Sequence, residues 1–420
     1  MAIILFTVFL ALILINVPIA IALVLSSILI MALAGNIPLV TLPQKMFAAL
    51  DSFPLMAAPF FILAGKLMEI GGISERLVNF ANSMVGQLKG GLAHVSLVAC
   101  MFFAAISGSG SATTAAIGGI MIPAMIKAGY DRNFATAVQV AGGTTGIIIP
   151  PSVPLVLYGV SAGVSISGLF IAGILPGLLI GLSLMFVAYI VSKTKGYGTN
   201  VEKVQFWKSF KEAILALLMP GIILGGIYGG IFTPTEASVV AVVYGFVIGV
   251  FVYKQINWQT LRTILVESVV TTSVILFIIS AASIFGMILT REQVPQSIAT
   301  ALTEANISPI MTMLLINLFL LIVGTFMEAI AAIVILTPIL LPVVTSIGID
   351  PTHFGIIMVA NLAIGLITPP VGVSLFVGAR VGNTTFEPLV RAIIPFIIMM
   401  IVSVLIITFV PQLSLFFLSE

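Results

Sequence analysis

Long apolar stretches, separated by short polar segments, recur along the chain from residue 3 to residue 415. A helix that spans a bilayer needs about 20 apolar residues. Full crossings of this kind are predicted at residues 3–34, 52–70, 133–164, 168–193, 211–231, 235–254, 264–289, 353–380 and 388–415. The pattern predicts an all-α polytopic membrane protein.

Two further apolar regions are too long for a single helix, and each has a polar interruption in its middle. Residues 92–127 contain Ser107-Gly108-Ser109-Gly110-Ser111, and residues 305–346 contain Gly324-Thr325-Phe326-Met327-Glu328. We predict that each region is a re-entrant helical hairpin whose polar tip lies inside the protein.

Two of the predicted crossings are interrupted by a pair of prolines. Pro150-Pro151 lies within residues 133–164, and Pro369-Pro370 lies within residues 353–380. A proline pair removes two N–H donors and breaks a helix. Irregular backbone at membrane depth is tolerated only where it is buried in protein or lines a cavity, so both breaks predict a functional site.

An internal repeat with an offset of 219 residues and no gaps relates these features. Gly146 matches Gly365, Pro150-Pro151 matches Pro369-Pro370, and the two hairpin tips fall in the same register. Two chance proline kinks in a glycine-rich membrane protein are the alternative, but the ungapped spacing favours a true repeat.

The basic residues predict the orientation of the chain. When the linker from Lys193 to Glu212 is placed in the cytoplasm and each hairpin returns to its own side, 14 of 16 basic residues are cytoplasmic. Only Lys45 and Arg291 fall outside. The resulting topology has a cytoplasmic amino terminus, a periplasmic carboxyl terminus and inverted repeats. Inverted repeats with broken helices are typical of secondary transporters, whose sites lie near the midplane.

The predicted organisation is a single membrane domain over residues 1–420 with five segments. In chain order these are a first scaffold helix (1–51), repeat 1 (52–193), a cytoplasmic linker (194–212), scaffold helices (213–262) and repeat 2 (263–420).

Composition restricts the class of protein further. The chain is 60% hydrophobic and 7% charged, which excludes a soluble domain because such a surface would aggregate. A net charge of +2 gives no basis for nucleic-acid binding. The single Cys100 forms no metal cluster with the two histidines, and there is no P-loop or catalytic motif. The chain is therefore predicted not to be an enzyme.

Polar side chains at the tips and breaks are the candidates for binding a substrate. The predicted substrate-binding residues are Ser107, Ser109, Ser111, Ser152, Arg291, Glu328 and Asn361. Arg291 is included because arginine binds carboxylates in a bidentate manner, with a surface ion pair to Glu292 as the alternative. Glu328 is the titratable group at a tip, so it is the candidate if protons take part.

Sodium is a hard cation that suits carbonyl and hydroxyl oxygens, and broken helix ends expose both. The symmetry predicts two sodium sites. Their predicted ligands are Ala105, Ser107, Gly108, Gly146, Ile149 and Pro150 for the first, and Gly324, Thr325, Gly365, Thr368 and Val371 for the second. The alternative for the serine- and glycine-rich tip is a helix-packing face.

Three motifs together resemble the large membrane subunit of tripartite ATP-independent periplasmic (TRAP) transporters. They are Ser107-Gly108-Ser109-Gly110-Ser111-Ala112-Thr113, Phe232-Thr233-Pro234-Thr235-Glu236-Ala237 and Thr368-Pro369-Pro370-Val371-Gly372. The resemblance covers essentially the whole chain. It implies a sodium-coupled elevator-type importer in the bacterial inner membrane, with a small four-helix membrane subunit as a separate chain and a periplasmic substrate-binding protein. It also implies carboxylate substrates, among which a sialic acid is favoured over a C4-dicarboxylate.

Other functions stay open from the residues alone. A stand-alone sodium–dicarboxylate symporter shares hairpins and broken helices but needs no binding protein. A channel would conduct without regard to a sodium gradient, and a membrane scaffold would tolerate the loss of Ser107 or Thr368.

Overall fold

The computed structural model describes residues 1–35, 37–198 and 205–418. Lys203 of the predicted linker lies outside these ranges. The described residues form helices and irregular connections without a β-strand, and nine helical segments among them are long and apolar enough to cross a membrane. The predicted all-α membrane fold is therefore confirmed.

The α-helices are numbered in chain order. They are α1 (Ala2–Leu14), α2 (Ile19–Ala34), α3 (Thr41–Ala48), α4 (Ala57–Ile70), α5 (Ile73–Val85), α6 (Gly91–Ser107), α7 (Gly110–Lys127), α8 (Arg132–Gly143), α9 (Thr145–Ile148), α10 (Val153–Ala162), α11 (Ile166–Lys195), α12 (Phe206–Tyr228), α13 (Pro234–Val247), α14 (Trp258–Arg291), α15 (Val294–Glu304), α16 (Pro309–Phe326), α17 (Ala329–Ser346), α18 (Pro351–Gly365), α19 (Val373–Val381), α20 (Phe386–Phe409) and α21 (Gln412–Leu415). Short 3-10 helices occupy Phe53–Met56 and Phe416–Leu418, and a π-helical turn follows α13 at Ile248–Val252.

The predicted first crossing, residues 3–34, is two helices rather than one. Asn16 adopts a left-handed backbone with φ of 67°, and Pro18 has no N–H to continue a helix. Helices α1 and α2 pack against each other on either side of this break. The prediction of a single helix is wrong because the apolar run hides one local interruption.

This break changes the position of the amino terminus. The Met1 amino group lies 3.4 Å from the Glu292 carboxylate, and the Phe6 ring packs edge-on against Phe285. Helix α1 therefore runs antiparallel to α14, and the chain begins at the end of α14 that carries Arg291. A cytoplasmic amino terminus and an external Arg291 cannot both be right. The partition of basic residues is unaffected, because α1 and α2 together return to the side on which α1 begins.

The helix boundaries follow the 219-residue offset. Helix α6 ends at Ser107 and α16 at Phe326, and α8 begins at Arg132 and α18 at Pro351. The same offset relates the capping carboxylates, since Asp131 accepts the Phe134 N–H (2.9 Å) at the start of α8 and Asp350 caps α18 in the same way. The inversion of the two units stays a prediction.

The hairpin of each unit packs against the broken helix of the other. Helix α7 contacts α19, and α17 contacts α10. The Tyr158 hydroxyl on α10 donates a 2.6 Å hydrogen bond to the Pro351 carbonyl at the start of α18. In the most apolar 18-residue window of Arg132–Ala162, 94% of the window is buried, whereas the value for α12 is 33%. The broken helices therefore form the centre, and α12 belongs to the periphery.

Candidate functional site

Residues of both hairpin tips, and residues on either side of both breaks, line one cavity of about 160 Å³. We call Ser107–Ser111 tip 1 and Gly324–Glu328 tip 2, and we call Ile149–Ser152 break 1 and Thr368–Val371 break 2. The central cavity is lined by tip 1, by Glu328 of tip 2, by residues that flank the breaks (Ile147, Val153, Leu366 and Val373), by Gly65, Lys66 and Glu69 of α4, and by Thr271 and Ile275 of α14.

Tip 1 gathers oxygen atoms. The Thr113 hydroxyl donates to the Ser109 carbonyl (2.7 Å) and lies 3.0 Å from the Ser107 hydroxyl. Ser109 also begins α7 as its N-cap, because its hydroxyl accepts the Ala112 N–H. Thr113 was not among the predicted ligands. Its position one turn after Ser109 is the signal that would have identified it.

The backbone of tip 1 lies directly against the first broken helix. A Cβ atom on Gly146 would lie 2.5 Å from the Ser109 carbonyl oxygen and 2.7 Å from the Thr113 hydroxyl. A Cβ on Gly108 would lie 3.1 Å from the Pro151 carbonyl oxygen. In addition, Pro150 stands where the donor to the Gly146 carbonyl would be in a continuous helix, and it has no N–H. Only glycine at position 146 leaves room for these oxygens.

Tip 2 repeats this arrangement with the second broken helix. A Cβ on Gly365 would lie 2.3 Å from the Gly324 carbonyl carbon, and the Gly372 N–H donates to the Thr325 carbonyl (3.4 Å). The Thr368 hydroxyl donates to the Ile364 carbonyl (2.7 Å), so both of its lone pairs remain available as acceptors.

Glu328 occupies the position in tip 2 that Ser109 occupies in tip 1. Its carboxylate caps α17 by accepting the Ile330 N–H (2.8 Å) and the Ala331 N–H (3.4 Å). Glu328 therefore both caps α17 and lines the central cavity. The two tips therefore differ in charge at equivalent positions, with a neutral cap at one and a carboxylate at the other.

Oxygen-rich groups of this kind suit a hard cation such as sodium. The Ser107 hydroxyl, the Ser109 carbonyl and the Thr113 hydroxyl lie within 3.4 Å of one another beside Gly146. At tip 2, the Thr325 carbonyl and the backbone of Thr368 both approach Gly372. The predicted residues Ala105, Gly108, Ile149, Pro150, Gly324 and Val371 lie in or next to the same tips and breaks. The residues present therefore fit the predicted ion at both positions.

Three predicted substrate-binding residues are not brought to the cavity. Ser152 is buried and donates to the Ile147 carbonyl (2.6 Å). Asn361 is buried and donates to Asn317 (2.7 Å) on α16. Arg291 ends α14 and is not part of the cavity wall.

Lys66, Glu69 and Thr271 line the cavity, although sequence reasoning did not select them. Lys66 counted only as a cytoplasmic anchor in the charge partition. Its ammonium forms an ion pair of 2.8 Å with Glu267 of α14. The available signal was the spacing of Lys66 and Glu69, which places both charges on one face of an otherwise apolar helix.

A larger cavity of about 790 Å³ adjoins the central one, because Glu69 lines both. Its wall includes Glu75, Arg76 and Gln255. The Arg76 guanidinium lies 3.7 Å from the centroid of the Tyr253 ring. This second cavity leads from the tips towards the loops that carry basic residues.

A third cavity, of about 460 Å³, is lined by Phe53, by residues 159–160 and 163–167, and by Thr233-Pro234-Thr235. It shares no lining residue with the central cavity. Thr233 and Glu236 beside it form a capping box, in which the Glu236 carboxylate accepts the Thr233 N–H (2.8 Å). Glu236 therefore has a structural role at the start of α13.

Comparison with known proteins gives consistent matches. Residues 6–413 match the family model described as "Tripartite ATP-independent periplasmic transporter, DctM component". The chain is 49% identical to the isethionate TRAP transporter permease protein DctMQ of Oleidesulfovibrio alaskensis, over 99% of this chain and 66% of that protein. It is 45% identical to a C4-dicarboxylate TRAP transporter large permease protein of Pseudomonas aeruginosa (89% of this chain, 88% of that protein) and 42% identical to a sialic acid TRAP transporter large permease protein of Vibrio cholerae (89% and 88%).

Two solved transporters share the fold at low identity. The YdaH transporter of Alcanivorax borkumensis aligns with a TM-score of 0.61 and 16% identity, over 88% of this chain and 86% of that one. MtrF of Neisseria gonorrhoeae aligns with a TM-score of 0.58 and 13% identity, over 88% and 83%. These likenesses concern the fold alone.

Proposed function

Because this chain belongs to the DctM component family of tripartite ATP-independent periplasmic transporters, we propose that it imports a small organic acid at the expense of a sodium gradient. The chain is a multi-pass membrane transporter and not an enzyme. The observation that carries the proposal is that residues of both hairpin tips and residues flanking both helix breaks line one central cavity.

Sodium would be held by carbonyl and hydroxyl oxygens at each tip. At the first position these are oxygens of Ser107, Ser109 and Thr113 beside Gly146. At the second position they are the backbone and hydroxyl oxygens of Thr325 and of Thr368. A bound cation would supply positive charge next to an anionic substrate. The chain itself brings each tip close to its broken helix, because Gly146 and Gly365 have no side chain that would separate them.

The substrate is a small organic acid that contacts the serines of tip 1. Relatives named for isethionate, C4-dicarboxylates and sialic acid share 42–49% identity with this chain. Isethionate and C4-dicarboxylates are thus candidates beside sialic acid, which the sequence favours. The common feature of all three is a carboxylate or sulfonate group.

The partners are a small four-helix membrane subunit and a periplasmic substrate-binding protein, and the complex resides in the bacterial inner membrane. The family description supports this assembly because it names a tripartite system of which this chain is one component. The chain spans 66% of the length of the isethionate relative.

Transport proceeds by an elevator motion in which the hairpins and broken helices move together relative to the other helices. Burial supports a central unit: 94% of the most apolar window of Arg132–Ala162 and 67% of that of α17 are buried, against 33–44% for the spans that contain α4, α12 and α13, with α16, at 39%, at the edge of this unit. Glu69 lines both the central cavity and the cavity beside Arg76, and since the charge partition puts Arg76 in the cytoplasm, the proposal assigns an inward-facing conformation to this structure.

Uptake into proteoliposomes tests the proposal. The vesicles hold this chain with its small membrane subunit, and isethionate, a C4-dicarboxylate or sialic acid is supplied with its binding protein, with and without an inward sodium gradient. Uptake of one acid only with sodium and binding protein is expected. Uptake without the binding protein would establish a stand-alone symporter, and uptake indifferent to sodium would refute the coupling and indicate a channel.

A further inference from the structure

Lys66 is the only lysine, arginine or histidine that lines the central cavity within the part of the chain that the structure describes. The acidic side chains on the same wall are Glu69 and Glu328. A cavity for an organic anion needs a positive group, because an uncompensated negative charge away from water is costly. Arg291, which the sequence suggested for this role, is not on this wall.

Helix α4, which carries Lys66, packs directly against tip 1. At the adjacent residue, a Cβ on Gly65 would lie 2.9 Å from the Ser107 carbonyl oxygen, so the helix backbone touches the tip. Helix α4 packs mainly against α13 and α14, which lie outside the hairpins and the broken helices. Lys66 therefore belongs to the outer helices and shares the cavity wall with tip 1.

The ammonium of Lys66 is held in place by one ion pair, which uses only one of its three hydrogen-bond donors. It donates to Glu267 at 2.8 Å, and the side chains of the pair are 29% and 49% exposed. An ammonium carries three donors, so two of them are available to a second acceptor in the cavity. A lysine also acts as a compact point charge that accepts carboxylate or sulfonate without a fixed geometry.

We propose that Lys66 binds the anionic group of the transported acid. The inference rests on the proposed function, since it requires an anionic substrate. Glu267 orients the ammonium and competes with the substrate for it. Because α4 lies outside the moving unit, the contact forms only while tip 1 lies against Gly65. Lys66 thus acts on the substrate in this conformation, on the side where the Arg76 cavity opens.

The rival explanation is that Lys66 and Glu267 form an ion pair that only holds α4 against α14. Removal of one partner alone would then leave an uncompensated charge, and removal of both would restore the protein. A substrate-binding lysine makes the opposite prediction for the double variant, so four variants separate the two roles: Lys66→Met, Lys66→Arg, Glu267→Gln and the double Lys66→Met/Glu267→Gln.

The experiment measures the apparent dissociation constant of the acid for the purified membrane complex in sodium buffer, from ligand-induced thermal shifts, using the acid that the wild-type protein transports. We expect Lys66→Met to weaken binding at least tenfold, which is about 1.4 kcal/mol. Lys66→Arg should retain most of the binding, and the double variant should stay as weak as Lys66→Met. Glu267→Gln should tighten binding because the competing carboxylate is gone.

Arg391→Met is the matched control, since Arg391 forms an exposed ion pair of 2.7 Å with Glu387 away from the cavity. Wild-type affinity in the double variant, or unchanged affinity in Lys66→Met, would overturn the proposal. If Lys66→Met does not fold, the affinity of Glu267→Gln for the acid becomes the test. Unchanged or weaker binding in that variant then overturns the proposal. Absence of transport by the wild type would instead refute the proposed function itself.

Discussion

The contact between tip 2 and the second broken helix yields the sharpest prediction. Gly365 ends α18, and an ideal Cβ there would lie 2.3 Å from the Gly324 carbonyl carbon, 2.4 Å from its Cα and 2.6 Å from its oxygen. Ordinary contact begins at 3.4 Å. All three neighbouring atoms belong to the backbone, so no change of rotamer can make room for Gly365→Ala.

The magnitude follows from the required displacement. The hairpin and the broken helix must separate by about 1 Å, and overpacking of this kind typically costs about 1–3 kcal/mol. The same movement pulls the Thr325 carbonyl away from Gly372, where the second sodium site is proposed. A loss of about 2 kcal/mol from sodium binding corresponds to about a 30-fold change in affinity. We therefore expect the sodium concentration for half-maximal uptake to rise at least tenfold.

The assay is uptake of the transported acid into proteoliposomes over a series of sodium concentrations, with the apparent melting temperature of each purified variant as a check on folding. Gly225→Ala in α12 is the matched control, because a Cβ there meets nothing within 4 Å and alanine favours the helix. Wild-type sodium dependence in Gly365→Ala would refute the reasoning. Equal losses in both variants would also contradict it, since the effect would then not come from the contact.

Three further outcomes are expected. Thr368→Val keeps the volume of the side chain but removes its oxygen, so the sodium concentration for half-maximal uptake should rise while the melting temperature stays within a few degrees. An unchanged sodium concentration for half-maximal uptake would exclude the hydroxyl as a ligand. Tyr158→Phe removes the hydrogen bond that the Tyr158 hydroxyl donates to the Pro351 carbonyl and should destabilise the protein by about 1 kcal/mol, measured as a lower melting temperature, whereas Tyr228→Phe on the periphery should not. The buried thiol of Cys100 should resist a membrane-permeable maleimide in the native protein and react after denaturation, and rapid labelling of the native protein would contradict its burial.

Local properties of the chain sufficed for much of the architecture. Apolar runs of the length of a bilayer mark the helices, because a membrane accepts only segments that satisfy their own backbone hydrogen bonds. Polar tips and proline pairs identify the breaks, because a missing N–H acts within one turn of the chain. Hence the helices that flank Ser109 and Glu328, and the glycines at positions 146 and 365, could be selected from residues alone.

Charge gave a less complete prediction. The orientation rule counts basic residues near the ends of crossings, and it therefore classed Lys66 as an anchor and singled out Arg291 as an external exception. Which cation faces the cavity depends on the rotation of α4 about its axis and on the contact of Gly65 with tip 1. Neither is encoded in a local pattern.

The sequence by itself determined the membrane class, the positions of the tips and breaks, and the family to which the chain belongs. Only the tertiary structure decided that α1 and α2 form a pair, that Ser152 and Asn361 turn into the protein interior, and that Lys66 faces the tips. The physical reason is range: hydrophobicity and helix breaking act over one or two turns, whereas a cavity wall is assembled from helices hundreds of residues apart.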